Sequence, residues 1–82
     1  MLSSKRNFQT DTIALKKLAL DCGIETCTEL ARRSGVNRNT LGKIWNGKEQ
    51  PTSDVMYKLA TCLNMSSTQA GLIFFNDNLR IT

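Results

Sequence analysis

Residues 30–47 have the sequence LARRSGVNRNTLGKIWNG, and this stretch decides the fold of the chain. It contains two segments with apolar residues at helical spacing, joined at Gly35, a residue that can adopt the left-handed backbone geometry of a helix end. Five of the eleven basic residues lie between Leu30 and Lys48, and no carboxylate does. The formal net charge of +4 is therefore concentrated here, as expected of a surface that meets phosphates. An ordinary solvated face is the alternative.

Upstream of this stretch, apolar spacing predicts a first helix over about residues 11–22. Thr26 and Glu29 form a capping box, in which each side chain accepts a hydrogen bond from a free backbone N–H at a helix start. The second helix therefore begins after Thr26 and ends at Gly35. Residues 1–10 are polar and lack this periodicity, so we expect a flexible N-terminal arm.

Downstream of Gly35, N-cap residues and apolar spacing predict three more helices, over residues 38–46, about 53–64 and about 67–72. Five helices joined by short loops predict an all-α fold, a compact five-helix bundle whose domain spans residues 11–72. Residues 73–82 remain as a C-terminal tail, in which we expect a short strand or a helix extension.

Several functional classes find no support in the sequence. No apolar run approaches the roughly 20 residues that cross a bilayer, and no apolar N-terminal segment suggests secretion, so we expect a soluble, cytoplasmic protein without a membrane partner. The chain has no histidine, no G-x-S-x-G motif, no phosphate-binding glycine loop and no paired carboxylates at a workable spacing. We therefore expect neither an enzyme nor a cofactor.

The three cysteines, Cys22, Cys27 and Cys62, are scattered and form no CxxC pair. Without histidines to complete a ligand set, we expect no metal site, and buried thiols are the simplest interpretation in a reducing compartment. A redox switch is an alternative that would need an exposed, activated thiolate.

The segment TCTELARRSGVNRNTLGKIWNGKEQPTSDVMYKLATCLN, residues 26–64, resembles the phage repressor and Cro-type helix-turn-helix family of DNA-binding proteins. The resemblance extends over about residues 12–72, and its strength is that several motif elements occur in register. These are the small residue Ala31, the turn glycine Gly35, the core residues Val36, Leu41 and Ile44, the NGK at 46–48, and Pro51. The resemblance implies a five-helix domain that binds double-stranded DNA.

In this family the second helix of the pair enters the major groove. The resemblance therefore implies that Arg38, Asn39 and Lys43 point toward base edges, and that Thr40 is close enough to touch a base or a phosphate. Arginine can pair with guanine, asparagine with adenine, and lysine can donate to guanine. The alternative is that these are merely exposed helix residues.

The resemblance also implies phosphate contacts at the starts of the second and fourth helices and at the end of the third. The candidates are Thr26, Cys27, Thr28, Asn46, Lys48, Thr52 and Ser53. Relatives usually carry glutamine at the position of Cys27, and cysteine is a poorer donor, so Thr28 or the backbone is expected to replace that contact. Arg32 and Arg33 either contact phosphates or only steer association.

Two further predictions concern the first helix and the arm. Many relatives carry a glutamate at the position of Trp45, paired with an arginine of the first helix. The counterpart falls near Leu20 here, so we expect apolar packing of Trp45, with a ring exposed to DNA or a partner as the alternative. Lys5 and Arg6 are expected in an idle tail, the alternative being contact with phosphates or the minor groove.

The C-terminal apolar run Leu72, Ile73, Phe74 and Phe75 is predicted to form a dimer interface, because a small domain can hardly bury both phenylalanines alone. The alternative is a monomer whose tail folds back on its own core. The sequence thus predicts a sequence-specific transcriptional regulator, a small Cro-like repressor of phage or mobile-element type. We expect it to bind a palindromic operator as a homodimer. An antitoxin or accessory module that binds a toxin or another protein is the alternative.

Overall fold

The computed structural model describes residues 8–76, which contain five α-helices. They are α1 (Thr12–Asp21), α2 (Cys27–Ser34), α3 (Arg38–Trp45), α4 (Ser53–Cys62) and α5 (Ser67–Phe74). Among these residues the β-structure is limited to one antiparallel bridge between Gln9 and Asn76. The predicted all-α, five-helix architecture is confirmed. Residues 1–7, with Lys5 and Arg6, and residues 77–82 of the predicted tail lie outside the described residues.

Side-chain caps explain where the central helices begin and end. The Thr26 hydroxyl accepts a hydrogen bond from the backbone N–H of Glu29 at 3.1 Å, and Gly35 ends α2 with a φ of 80°. The Asn37 side-chain oxygen accepts from the backbone N–H groups of Asn39 and Thr40, at 2.9 and 3.2 Å. An N-cap of this kind stabilises a helix by about 1 kcal/mol. The turn between α2 and α3 is therefore determined locally.

The core is formed by buried apolar side chains from every helix and from the three connections that contain Ile24, Val36 and Leu63. They are Leu15, Ala19, Ile24, Leu30, Ala31, Val36, Leu41, Ile44, Leu59, Leu63, Ile73 and Phe74. Helix α3 packs against α2 and α1, α2 also packs against α4, and α5 packs against α1 and α4. The predicted core roles of Val36, Leu41 and Ile44 are confirmed, because all three are buried.

The two ends of the described chain differ from the predicted boundaries. Helix α5 continues to Phe74, beyond the expected end near residue 72. The backbone of Gln9 exchanges hydrogen bonds with that of Asn76, at 3.3 and 3.1 Å, and Thr10 is buried. Residues 8–10 of the predicted arm therefore lie on the domain, since the chain following α5 supplies backbone partners that the sequence did not reveal.

Candidate nucleic-acid interface

One face of α3 is buried and the other points to solvent. Leu41 and Ile44 have no exposed surface and hold the helix against the core. The predicted base-contacting residues Arg38, Asn39 and Lys43 are exposed, and Thr40 is half-buried. Burial of two apolar residues three positions apart fixes the rotation of a short helix about its axis. The direction of every other side chain follows, because successive side chains are separated by about 100°. The polar face of α3 is thus available to a ligand.

Arg38 connects the first turn of α3 with the first turn of α2. Its Nε–H donates to the Thr28 hydroxyl oxygen at 3.0 Å. The guanidinium also lies along α3 beside Gly42, where an added Cβ would come within 3.0 Å of Arg38 Nη1. A glycine at this position leaves room for the arginine to lie flat along the helix. The structure thus brings together a predicted base-contacting residue and a predicted phosphate-contacting residue.

The start of α2 combines free backbone N–H groups with positive side chains. Cys27, the first residue of the helix, is half-buried, and burial raises the pKa of its thiol although Arg38 and Lys16 act in the opposite direction. The thiol therefore stays neutral at neutral pH and does not repel an anion. The helix dipole and these two cations favour a phosphate at this position.

Arg32 and Arg33 are paired within α2. Both guanidinium groups bind the Glu29 carboxylate, with shortest distances of 2.5 and 2.6 Å. The predicted capping box is therefore incomplete: Thr26 caps the helix, but the Glu29 side chain binds arginines. Hydrogen bonds from Arg32 and Arg33 also lower the pKa of Glu29. Glu29 precedes the stretch that the sequence showed to be free of carboxylates, so the positive charge there is smaller than its composition indicates.

The other basic residues of the interface differ in their partners. Lys43 Nζ lies 3.9 Å from a Glu49 carboxylate oxygen, a distance at the outer limit of an ion pair. No carboxylate within residues 8–76 forms an ion pair with Arg38 or Lys48. These two residues are consequently the basic side chains of the interface with the fewest competitors for a phosphate or a base.

The remaining phosphate candidates occupy the loop between α3 and α4. Asn46 is the C-cap of α3, Gly47 has a φ of 75°, and the Lys48 backbone N–H donates to the Lys43 carbonyl oxygen at 2.8 Å. Asn46 and Lys48 are exposed, as are Thr52, the N-cap of α4, and Ser53, its first residue. Within the described residues, Arg38 bonds Thr28 and Thr52 bonds the Val55 N–H, so no hydrogen bond links the two sets of candidates.

A sequence model of the Cro/C1-type HTH DNA-binding domain matches residues 14–69, more than half of the chain. The chain belongs to this family. Comparisons with curated proteins and with solved structures gave no match. The match covers α2, α3 and the turn between them, and it confirms the coarse functional prediction of a DNA-binding regulator.

In this helix-turn-helix domain α1 contacts α3 in a way that the sequence did not predict. Trp45 is half-buried and packs against the core, as expected. Its neighbour is Lys16, whose Nζ lies 5.3 Å from the centre of the indole ring, whereas Leu20 is 56% exposed. Lys16 lies one turn before Leu20 on α1, so a cation lies over the ring, and the apolar contact with Leu20 stays a prediction. A cation over an exposed aromatic ring contributes about 0.5–1 kcal/mol.

The predicted dimer residues divide between the interior and the surface of the helix-turn-helix domain. Ile73 is 7% exposed and Phe74 fully buried, so these two belong to the core of the domain. Leu72 and Phe75 are 67% and 48% exposed. The Phe75 ring meets the Phe8 ring edge to face, with centroids 5.5 Å apart. Because α5 continues through residue 74, successive side chains are about 100° apart, so Leu72 and Phe75, three positions apart, share the exposed side and Ile73 and Phe74 between them face the core.

Within residues 8–76 no group of three or more potential metal ligands occurs. None of the helices in that range is both long and apolar enough to span a membrane. The feature that distinguishes this part of the molecule is thus the polar face of α3 with the surrounding loops.

Proposed function

We propose that this chain is a sequence-specific transcriptional regulator, a small Cro-like repressor that inserts α3 into the major groove of double-stranded DNA. The single observation that carries the proposal is the exposure of Arg38, Asn39 and Lys43 on the face of α3 opposite the buried Leu41 and Ile44. The B-DNA major groove is about 12 Å wide and admits a helix presented in this way.

Base recognition is assigned to three side chains of different chemistry. The Arg38 guanidinium can donate two parallel hydrogen bonds to guanine, and the Asn39 amide can donate to and accept from adenine. The Lys43 ammonium can donate to guanine once it leaves Glu49. The ion pair that it gives up is weak, because it is exposed and the two groups are 3.9 Å apart. Thr40, half-buried on the same helix, is assigned a contact to a base or to the nearest phosphate.

Phosphate contacts are assigned to the edges of the helix-turn-helix pair. One group lies at the start of α2, where Thr28 and the backbone N–H groups adjoin Lys16 and Arg38, with Thr26 and Cys27 beside them. A second group follows α3 and comprises Asn46, Lys48, Thr52 and Ser53. Contacts of this type fix the register of the protein on the duplex and add affinity for any sequence.

The same proposal includes a homodimer formed through Leu72 and Phe75. These exposed apolar side chains, with Phe8 beside Phe75, are a surface from which water is favourably removed. A two-fold symmetric dimer would place two copies of α3 about 34 Å apart and would match a palindromic operator. Occupancy of the operator would then exclude polymerase, in the bacterial cytoplasm where phage and mobile-element regulators act.

Selection of bound duplexes from a random pool, at stated salt concentration, tests this function. We expect enrichment of a palindrome whose half-sites are about 10 base pairs apart, centre to centre. A matched selection with the triple variant Arg38→Ala, Asn39→Ala, Lys43→Ala should enrich no motif. A wild-type protein that enriches nothing beyond the starting pool would overturn the proposal.

The exposed apolar pair on α5 also favours a second candidate function, an antitoxin or accessory module that binds a toxin or another protein. In that case the partner would cover Leu72 and Phe75, and contact with DNA would be secondary. Sedimentation at tens of micromolar, with and without the selected duplex, discriminates between the two. A dimer favours the Cro-like repressor, and a monomer in both conditions favours the accessory module.

A further inference from the structure

Three segments of the chain meet at the side chain of Gln50, in the loop between α3 and α4. Its Nε2 donates to the carbonyl oxygen of Phe74 at 2.5 Å, at the end of α5. Its Oε1 accepts from the hydroxyl of Thr10 at 2.9 Å, in the segment before α1. Both ends of the amide are therefore used, and each holds a different part of the fold.

The two partners of Gln50 are themselves fixed to each other. The backbone N–H of Asp11 donates to the Ile73 carbonyl oxygen at 2.7 Å, and Gln9 pairs with Asn76. Thr10 is the buried polar residue within residues 8–76, at 7% exposure. The N-terminal segment and the end of α5 thus form one support, to which Gln50 attaches the loop.

Pro51, the residue after Gln50, is buried, whereas residues 46–49 are exposed. A cleft of about 530 Å³, lined by residues 8–10, 12 and 47–50, lies between this exposed part of the loop and the N-terminal segment. Gly47 adds backbone freedom at the start of the loop. Lys48 is held from the α3 side by the bond of its N–H to the Lys43 carbonyl oxygen. The Gln50 amide holds the loop from the opposite side, through its hydrogen bonds with Thr10 and Phe74.

We infer that Gln50 is a positioning residue for DNA binding, which holds the loop after the recognition helix so that Lys48 is presented to a phosphate. This inference rests on the proposed function and extends it to a residue that does not itself touch DNA. A charge on an ordered loop binds without the cost of ordering the loop at the moment of contact. If the amide no longer bonds Thr10 and Phe74, the loop must be ordered when DNA binds. The affinity then falls for every duplex, whatever its sequence.

The DNA arm of the test uses neutral substitutions and a random-sequence duplex. Gln50→Leu removes both hydrogen bonds at similar size, and Thr10→Val removes only the hydroxyl. Gln69→Leu is the matched control, because it removes a 3.0 Å amide contact to the Ser66 N–H at the distant start of α5. We expect Gln50→Leu to weaken binding by about threefold to tenfold. It should also reduce the salt slope, the slope of the logarithm of the binding constant against the logarithm of the salt concentration, by about one, which corresponds to one phosphate contact. The affinity and salt slope of Thr10→Val should lie between those of Gln50→Leu and the wild type, and those of Gln69→Leu should match the wild type.

The second arm needs no DNA and measures hydrogen exchange of the Lys48 and Glu49 amides in the free protein. We expect Gln50→Leu to accelerate exchange at these amides and to leave the buried Leu41 and Ile44 unchanged. Unaltered loop exchange, or a salt slope equal to that of the wild type, would overturn the inference. If the wild type binds no duplex, the proposed function fails, and the exchange arm alone decides whether Gln50 holds the loop. Should Gln50→Leu fail to fold, Thr10→Val supplies both readouts.

Discussion

The α2–α3 pair and the end of α5 present opposite kinds of surface to solvent. Helix α3 covers its buried side with Leu41 and Ile44 and exposes polar and basic side chains. The end of α5 buries Phe74 and exposes the apolar Leu72 and Phe75. Polar groups suit phosphates and base edges, whereas exposed apolar side chains suit a protein partner. The domain therefore offers two surfaces whose contributions can be separated by substitution.

The largest expected effect contrasts two adjacent phenylalanines at the end of α5. Phe74→Ala removes a fully buried ring and should lower the free energy of unfolding by about 3–5 kcal/mol. Phe75→Ala, at 48% exposure, should cost less than about 1 kcal/mol and should instead weaken self-association. Urea unfolding measures the first effect and sedimentation the second. Similar losses of stability in both variants would contradict this division between core and surface.

A second contrast tests the polar surface of α3. Arg38→Ala should lose about 1–3 kcal/mol of discrimination at one base position of the selected operator. Arg32→Ala removes the same charge from a guanidinium that binds Glu29, and it should leave the base preference intact. Competition between the selected duplex and single-base variants measures both. Equal losses on operator and random DNA for Arg38→Ala would refute base recognition by this residue.

Lys48→Ala addresses the loop beside that surface. Because this ammonium is assigned to a phosphate, its removal should weaken binding to all sequences by similar factors and reduce the salt slope by about one. Lys58→Ala is the control of equal charge, since Lys58 pairs with Asp54 at 3.2 Å on α4. A sequence-dependent loss in Lys48→Ala would show that the residue reads bases.

Gly42→Ala separates stability from recognition within α3. Alanine in place of a helical glycine should stabilise the domain by up to about 1 kcal/mol. The new Cβ would come within 3.0 Å of Arg38 Nη1, so the flexible guanidinium must shift away from the helix. We expect a higher melting temperature together with altered discrimination at the base assigned to Arg38. An unchanged base preference would mean that the arginine leaves Gly42 when DNA binds.

The smallest effect is the pH dependence that arises from Glu29. Arg32 and Arg33 lower the pKa of its carboxyl in the folded protein. The resulting stabilisation is present above the ordinary glutamate pKa of about 4.3, and it is lost as the pH falls through the lower folded pKa. Glu29→Gln should therefore reduce the acid-induced loss of stability, measured as melting temperature against pH. A profile identical to that of the wild type would mean that these exposed ion pairs contribute nothing measurable.

Much of the helix-turn-helix pair was predictable because its determinants are close together in sequence. Thr26, Gly35 and Asn37 act on backbone groups within a few residues of themselves, and Leu41 and Ile44 orient α3 by their spacing. The partners of Glu29 were less predictable. The Glu29 carboxylate can either cap the start of α2 or bind the two arginines. Both sets of partners are close in sequence, so the sequence does not say which interaction forms.

The sequence by itself determined the five helices, the turn at Gly35 and the polar face of α3, because caps and apolar periodicity act over one or two helical turns. Only the tertiary structure decided which residue lies over Trp45, which of four apolar residues at the end of α5 are buried, and that Gln50 joins Thr10 to Phe74. These contacts join residues far apart in the chain, and their formation depends on how the helices pack. Local pattern carries no information about that packing, since a lysine, a phenylalanine or a glutamine is compatible with several neighbours until the core brings one of them within reach.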